Sequence, residues 1–76
     1  MDKKGYLIEY LISDIVFFIM QDEKLDIDLA MKKFYDSEVF AKLQDVQTGL
    51  YIEGSGYVYD LYKIERENGY LKQLEI

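Results

Sequence analysis

Residues 7–20 read LIEYLISDIVFFIM, and only Glu9, Ser13 and Asp14 interrupt the apolar run. Ile8, Leu11, Ile12, Ile15, Phe18 and Ile19 recur at the i, i+3, i+4, i+7 interval of a helix. The spacing predicts a helix from about Lys4 to Asp22, with that row turned to the core. Tyr10, Phe17 and Met20 fall beside the row. Tyr10 and Phe17 are seven apart and share a strip two turns long. Glu9 and Ser13 mark the wettest line. An ordinary surface helix carries one apolar stripe. A helix apolar around most of its circumference needs cover on most faces, and a chain of 76 residues has few other elements to supply it. The expectation is that this helix is shared with a second copy or another protein.

Outward from that helix, Gln21 to Lys24 is a polar break. Asp26 has the chemistry of an N-cap, with Leu25 before it as a hydrophobic staple. A second helix is expected over Ile27–Tyr35, with Ile27, Ala30, Met31 and Phe34 apolar at helical spacing. Ser37 caps a third, from Glu38 to about Asp45, whose apolar side is Val39, Phe40 and Leu43. Gly49, Gly54 and Gly56 then break the pattern around an extended-looking Leu50–Tyr51–Ile52. Ser55 is the expected cap of a fourth helix, Gly56 to about Asn68, and Gly69 stands where a left-handed C-cap glycine belongs. Tyr57, Val58, Leu61, Tyr62 and Ile64 give that helix its apolar side. Tyr70 to Ile76 reads as a tail. The fold class is therefore all-α: a small bundle of four helices, one domain over 1–76, with a short extended segment before the last helix.

A domain this small hides only about 60% of its unfolded surface and gains from outside help. With no cysteine and no histidine, disulfides and Cys/His metal sites cannot supply it, which leaves oligomerisation. A net charge of −6 repels nucleic-acid phosphates and anionic membranes, and favours a basic protein partner. It equally serves simple solubility. Lys3 and Lys4 before an apolar run resemble a secretory n-region, but Glu9 and Asp14 fall inside the run and no small-residue cleavage site follows. The run is also too short to span a membrane. A cytoplasmic location is expected.

Candidate sites are few. Gly54–Ser55–Gly56 precedes a helix as phosphate loops do, but the Gly-Lys-Ser/Thr ending is missing and Tyr57 stands at the helix start. Asp22, Glu23, Asp26 and Asp28 cluster without the glycine and spacing of a calcium loop, and read as a solvated turn with capping acids. Without histidine or cysteine the usual general base and thiol nucleophile are absent, so no catalytic, cofactor or metal residue is assigned. Asp14, among apolar neighbours, is either the wet edge of the helix or a buried carboxylate needing a base; Ser13 and Gln21 on the same side favour the wet edge. Eight tyrosines offer large contact area with a polar tip, suited to core margins and interfaces. The helix cannot turn Tyr57, Tyr59 and Tyr62 all inward. The expected partner-binding residues are Tyr10, Phe17 and Met20, joined by Tyr59 and Tyr62.

From Phe34 onward the chain resembles a group of short, uncharacterised bacterial helical proteins. The matching residues are Phe34–Tyr35 with Ser37, Phe40 with Lys42–Leu43 and Asp45, Thr48–Gly49–Leu50–Tyr51 and Tyr57–Val58–Tyr59–Asp60. Asp14–Ile15–Val16 and Phe18 fit more loosely, and Gly54–Ser55–Gly56 departs from the group's usual helix start. Related small proteins neighbour ADP-ribosyltransferase-like toxins, so the resemblance implies an antitoxin-like or accessory role. The leading expectation is a non-enzymatic protein–protein interaction module, acting as a homodimer or on another protein. The alternatives are a small dimeric nucleic-acid-binding regulator, which the charge opposes, and a self-associating structural protein.

Overall fold

A computed structural model describes residues 3–69; the 70–76 tail lies outside the described residues. It is all-α, with α1 Lys3–Glu23, α2 Ile27–Tyr35, α3 Glu38–Gln44 and α4 Ser55–Asn68. Two 3-10 turns, Val46–Thr48 and Leu50–Ile52, link α3 to α4. The long α1 is the spine, and α2, α4 and the second 3-10 turn pack on one side of it.

Each joint follows from local chemistry. At the end of α1, Lys24 adopts a left-handed φ of 57°. The Leu25 N–H can then reach back to the Met20 carbonyl at 3.3 Å, as in a Schellman cap. The Asp26 carboxylate accepts from the Leu29 N–H at 2.9 Å and starts α2. Ser37 works on both sides of its turn. Its hydroxyl donates to the Phe34 carbonyl at the end of α2 and accepts from the Phe40 N–H at 3.2 Å at the start of α3. Each such cap contributes about 1 kcal/mol. A further restraint on α3 comes from α4: the Glu65 carboxylate accepts from the Glu38 and Val39 N–H groups at 2.9 and 3.1 Å. A carboxylate at a helix N-terminus satisfies orphan donors and complements the dipole.

The core gathers Leu11, Ile15, Val16 and Ile19 of α1, Ala30 and Phe34 of α2, Val39 and Leu43 of α3, and Val58, Leu61 and Tyr62 of α4, with Leu50 between them. Phe34 is its pin, edge-on to Phe40 at 5.5 Å and to Tyr62 at 6.0 Å between centroids. The expected inward row of α1 holds at Leu11, Ile15 and Ile19. Ile8, Ile12 and Phe18 are only partly buried, and Val16 joins the core instead.

Three local expectations need correction. The segment Leu50–Tyr51–Ile52 is a 3-10 turn, not an extended piece. No strand pairs with it among the described residues; its N–H groups are met instead by short-range acceptors, with Thr48 Oγ1 taking the Leu50 N–H at 3.2 Å and the Gly49 carbonyl taking the Ile52 N–H at 3.1 Å. Gly49, at φ 69°, makes the reversal that only a residue without a Cβ adopts cheaply. Ser55 does not cap α4 but is its first residue; Gly54 holds the cap position at φ 90°, with no side-chain capping bond. Tyr57, read as part of the apolar side of α4, is exposed. Gly69 takes the left-handed C-cap conformation that the sequence predicted.

Candidate interaction surface

The α1 helix has two unlike halves. One is sealed by the core. The other bears Tyr6, Tyr10 and Phe17, exposed by 64%, 60% and 55%. Rings left this open on one helix face lie outside the core that the described residues form.

Beside this crest runs a groove of about 970 Å³. Ile8, Ile12, Phe17 and Met20 of α1 form one wall, Ile27, Met31 and Tyr35 of α2 face them, and Phe40 of α3 closes the end. Ile27, Met31 and Tyr35 are four apart, so they stack on one line of α2 while Ala30 and Phe34 turn into the core. Tyr35 lies against Phe40 at 4.7 Å between centroids, which braces the far rim. Among the described residues that line the groove, Glu9 is the only charged side chain, beside Ser13 and Gln44.

Of the five residues expected to bind a partner, three meet on this surface. Phe17 and Met20 line the groove, and Tyr10 stands on the adjoining crest. Tyr59 and Tyr62 do not join them: they are 8% and 1% exposed, and the correction has a definite cause. Their rings stack at 6.0 Å and 15°, and Tyr59 rests on Phe18 at 5.1 Å. Their hydroxyls donate to carboxylates at the end of α1, Tyr59 to Asp22 at 2.5 Å and Tyr62 to Glu23 at 3.4 Å. With both polar tips satisfied, the rings can be enclosed. Sequence spacing could not show that α1 ends opposite them.

Those carboxylates also anchor a polar cluster at the end of α1. Glu23 also receives Lys33 at 3.1 Å and lies 4.0 Å from Arg66, so it ties α1 to α2 and α4 at once. Burial, then the Asp22 carboxylate holding its proton, push the Tyr59 hydroxyl well above the ordinary tyrosine range. Burial and the charge of Glu23 push Tyr62 up to about 12. This cluster has every member engaged with another and reads as a lock between helices. The acidic group singled out in the sequence is likewise divided among structural tasks: Asp22 and Glu23 in the lock, Asp26 in its cap. Among the described residues no set of three or more His, Cys, Asp or Glu side chains is placed to hold a metal ion. Asp14 is half-buried at the edge of α1. No described helix is long and apolar enough to cross a membrane.

Sequence reasoning missed the far wall of the groove. It grouped Ile27 and Met31 with Ala30 and Phe34 as one apolar set at helical spacing, and gave Tyr35 no face. The signal was present: Ile27, Met31 and Tyr35 form a row of their own at i, i+4, i+8, a second stripe that the core does not need.

No family model, curated protein or solved structure matches this chain.

Proposed function

We propose that this chain is a non-enzymatic protein-interaction module that binds a partner protein through the groove and crest of α1. The observation that carries the reading is the groove of about 970 Å³ walled by Phe17, Met20, Ile27 and Met31, with exposed Tyr10 beside it. Exposed apolar patches of this kind, rimmed by polar residues, mark interaction sites. The contact residues are Tyr10, Phe17 and Met20, extended by Ile27 and Tyr35. The resemblance to short bacterial helical proteins adds a context to this proposal: an antitoxin-like or accessory subunit in a bacterial cytoplasm.

Phe17→Asp is the decisive variant. Because the ring is 55% exposed, its loss should leave the helical circular dichroism and the melting temperature nearly unchanged. Proteins captured from the source lysate by the wild-type chain should be lost from the variant in a quantitative pull-down. Equal recovery by the two would refute the assignment.

A further inference from the structure

Resting on the interaction reading above, we infer that the occupant of the α1–α2–α3 groove is a basic amphipathic helix of a partner protein. The shape comes first. The α1 wall runs from Gly5 to Met20, which at about 1.5 Å per residue is about 22 Å, four turns of helix. A long apolar trough between helices takes the apolar ridge of another helix, anchored at i, i+3, i+4 and i+7. Met20 and Met31 at its walls suit such a ridge, since unbranched thioethers adapt to irregular contacts.

Charge then selects among helices. Between Gly5 and Glu23, α1 carries Glu9, Asp14, Asp22 and Glu23, and its two lysines, Lys3 and Lys4, both precede Gly5. Asp28 follows Ile27 on the exposed side of α2, one turn before the exposed Lys32, so the net negative charge of the surface comes from α1 and not from α2. No basic residue is among the described residues that line the groove, and Lys33 is drawn away to Glu23. An incoming helix therefore meets Glu9 along its length in a field of net charge −6. Lysines or arginines flanking its apolar ridge are complementary to that field, and acids are repelled. The same field opposes a second copy of this chain, which would bring another −6 and another Glu9 to the seam.

Three labelled synthetic helical peptides of about four turns test this by fluorescence anisotropy against the full chain. They are one with a leucine ridge flanked by lysine, one with the same ridge flanked by glutamate, and one with the lysines kept and the leucines scrambled. The first should bind at least about tenfold more tightly than either other at low salt, and its lead over the glutamate peptide should shrink as salt screens the charges. Ile27→Ser should abolish that binding, and Glu9→Gln should weaken it. Equal binding of the lysine- and glutamate-flanked peptides overturns the basic partner and leaves the groove reading standing. Equal binding of the ridged and scrambled lysine peptides overturns the groove as the seat. Binding of none overturns both. Sedimentation of the chain alone as a dimer that Phe17→Asp dissociates makes a second copy the occupant and overturns the proposal.

Discussion

Phe34→Ala should cost about 3–5 kcal/mol, the range for emptying an aromatic site in a packed core. Phe34 has no exposed surface, and its ring meets Phe40 of α3 and Tyr62 of α4 edge-on, from a position on α2. Three helices therefore lose a shared contact at once. At about 0.05–0.15 kcal/mol per residue, a chain of this size is stable by only about 4–11 kcal/mol. The loss therefore removes between about a quarter and all of that stability, and the variant should unfold at a much lower denaturant concentration than the wild type. Urea unfolding followed by circular dichroism at low temperature checks this. A midpoint within experimental error of the wild type would mean that α2, α3 and α4 are held together by something other than this ring.

Glu23→Ala should produce the second-largest loss, about 1–3 kcal/mol, reduced by the 28% exposure of the carboxylate side chain. The substitution strips Lys33, Arg66 and the Tyr62 hydroxyl of a common acceptor. Glu23→Gln keeps an acceptor for Tyr62 and should recover part of the loss. The same lock predicts an alkaline limb. Tyr59 and Tyr62 hold their protons more tightly in the folded chain than the ordinary value of 10. Their contribution to stability is thus whole below pH 10 and is lost as pH rises past 10 toward the folded value, about 12 for Tyr62. Replacing both tyrosines by phenylalanine should flatten that limb. A wild-type stability that rises between pH 10 and 12 would contradict the direction of both shifts.

Much of the fold is legible in the sequence because it is written in short-range rules. The helix spacing of 7–20, the Asp26 and Ser37 caps and the Gly69 stop each depend on residues within one turn of each other. Leu50–Tyr51–Ile52 misleads because an apolar triplet with an aromatic and a β-branched residue favours a strand only where a neighbouring strand can pair with it. None does among the described residues, and Gly49 with Thr48 closes the segment into a 3-10 turn. The site divides along the same line. Tyr10 and Phe17 could be found because their strip faces away from the inward row of their own helix. Tyr59 and Tyr62 could not be placed, because their burial depends on Asp22 and Glu23, 37 and 39 residues away in the chain. The groove's far wall needed the rotation of α2 against α1, which Ala30 and Phe34 fix only once they are packed.

The central claim is that α1 is sealed on one side by its own chain and open on the other. Hydroxyl-radical labelling of the isolated chain, read residue by residue by mass spectrometry, tests it directly. Tyr10 and Phe17 should be modified rapidly while Phe34 and Tyr62 stay protected, in a sample that sediments as a monomer. A monomer in which Phe17 is as protected as Phe34 would mean that the open face does not exist, and the interaction surface would fall with it.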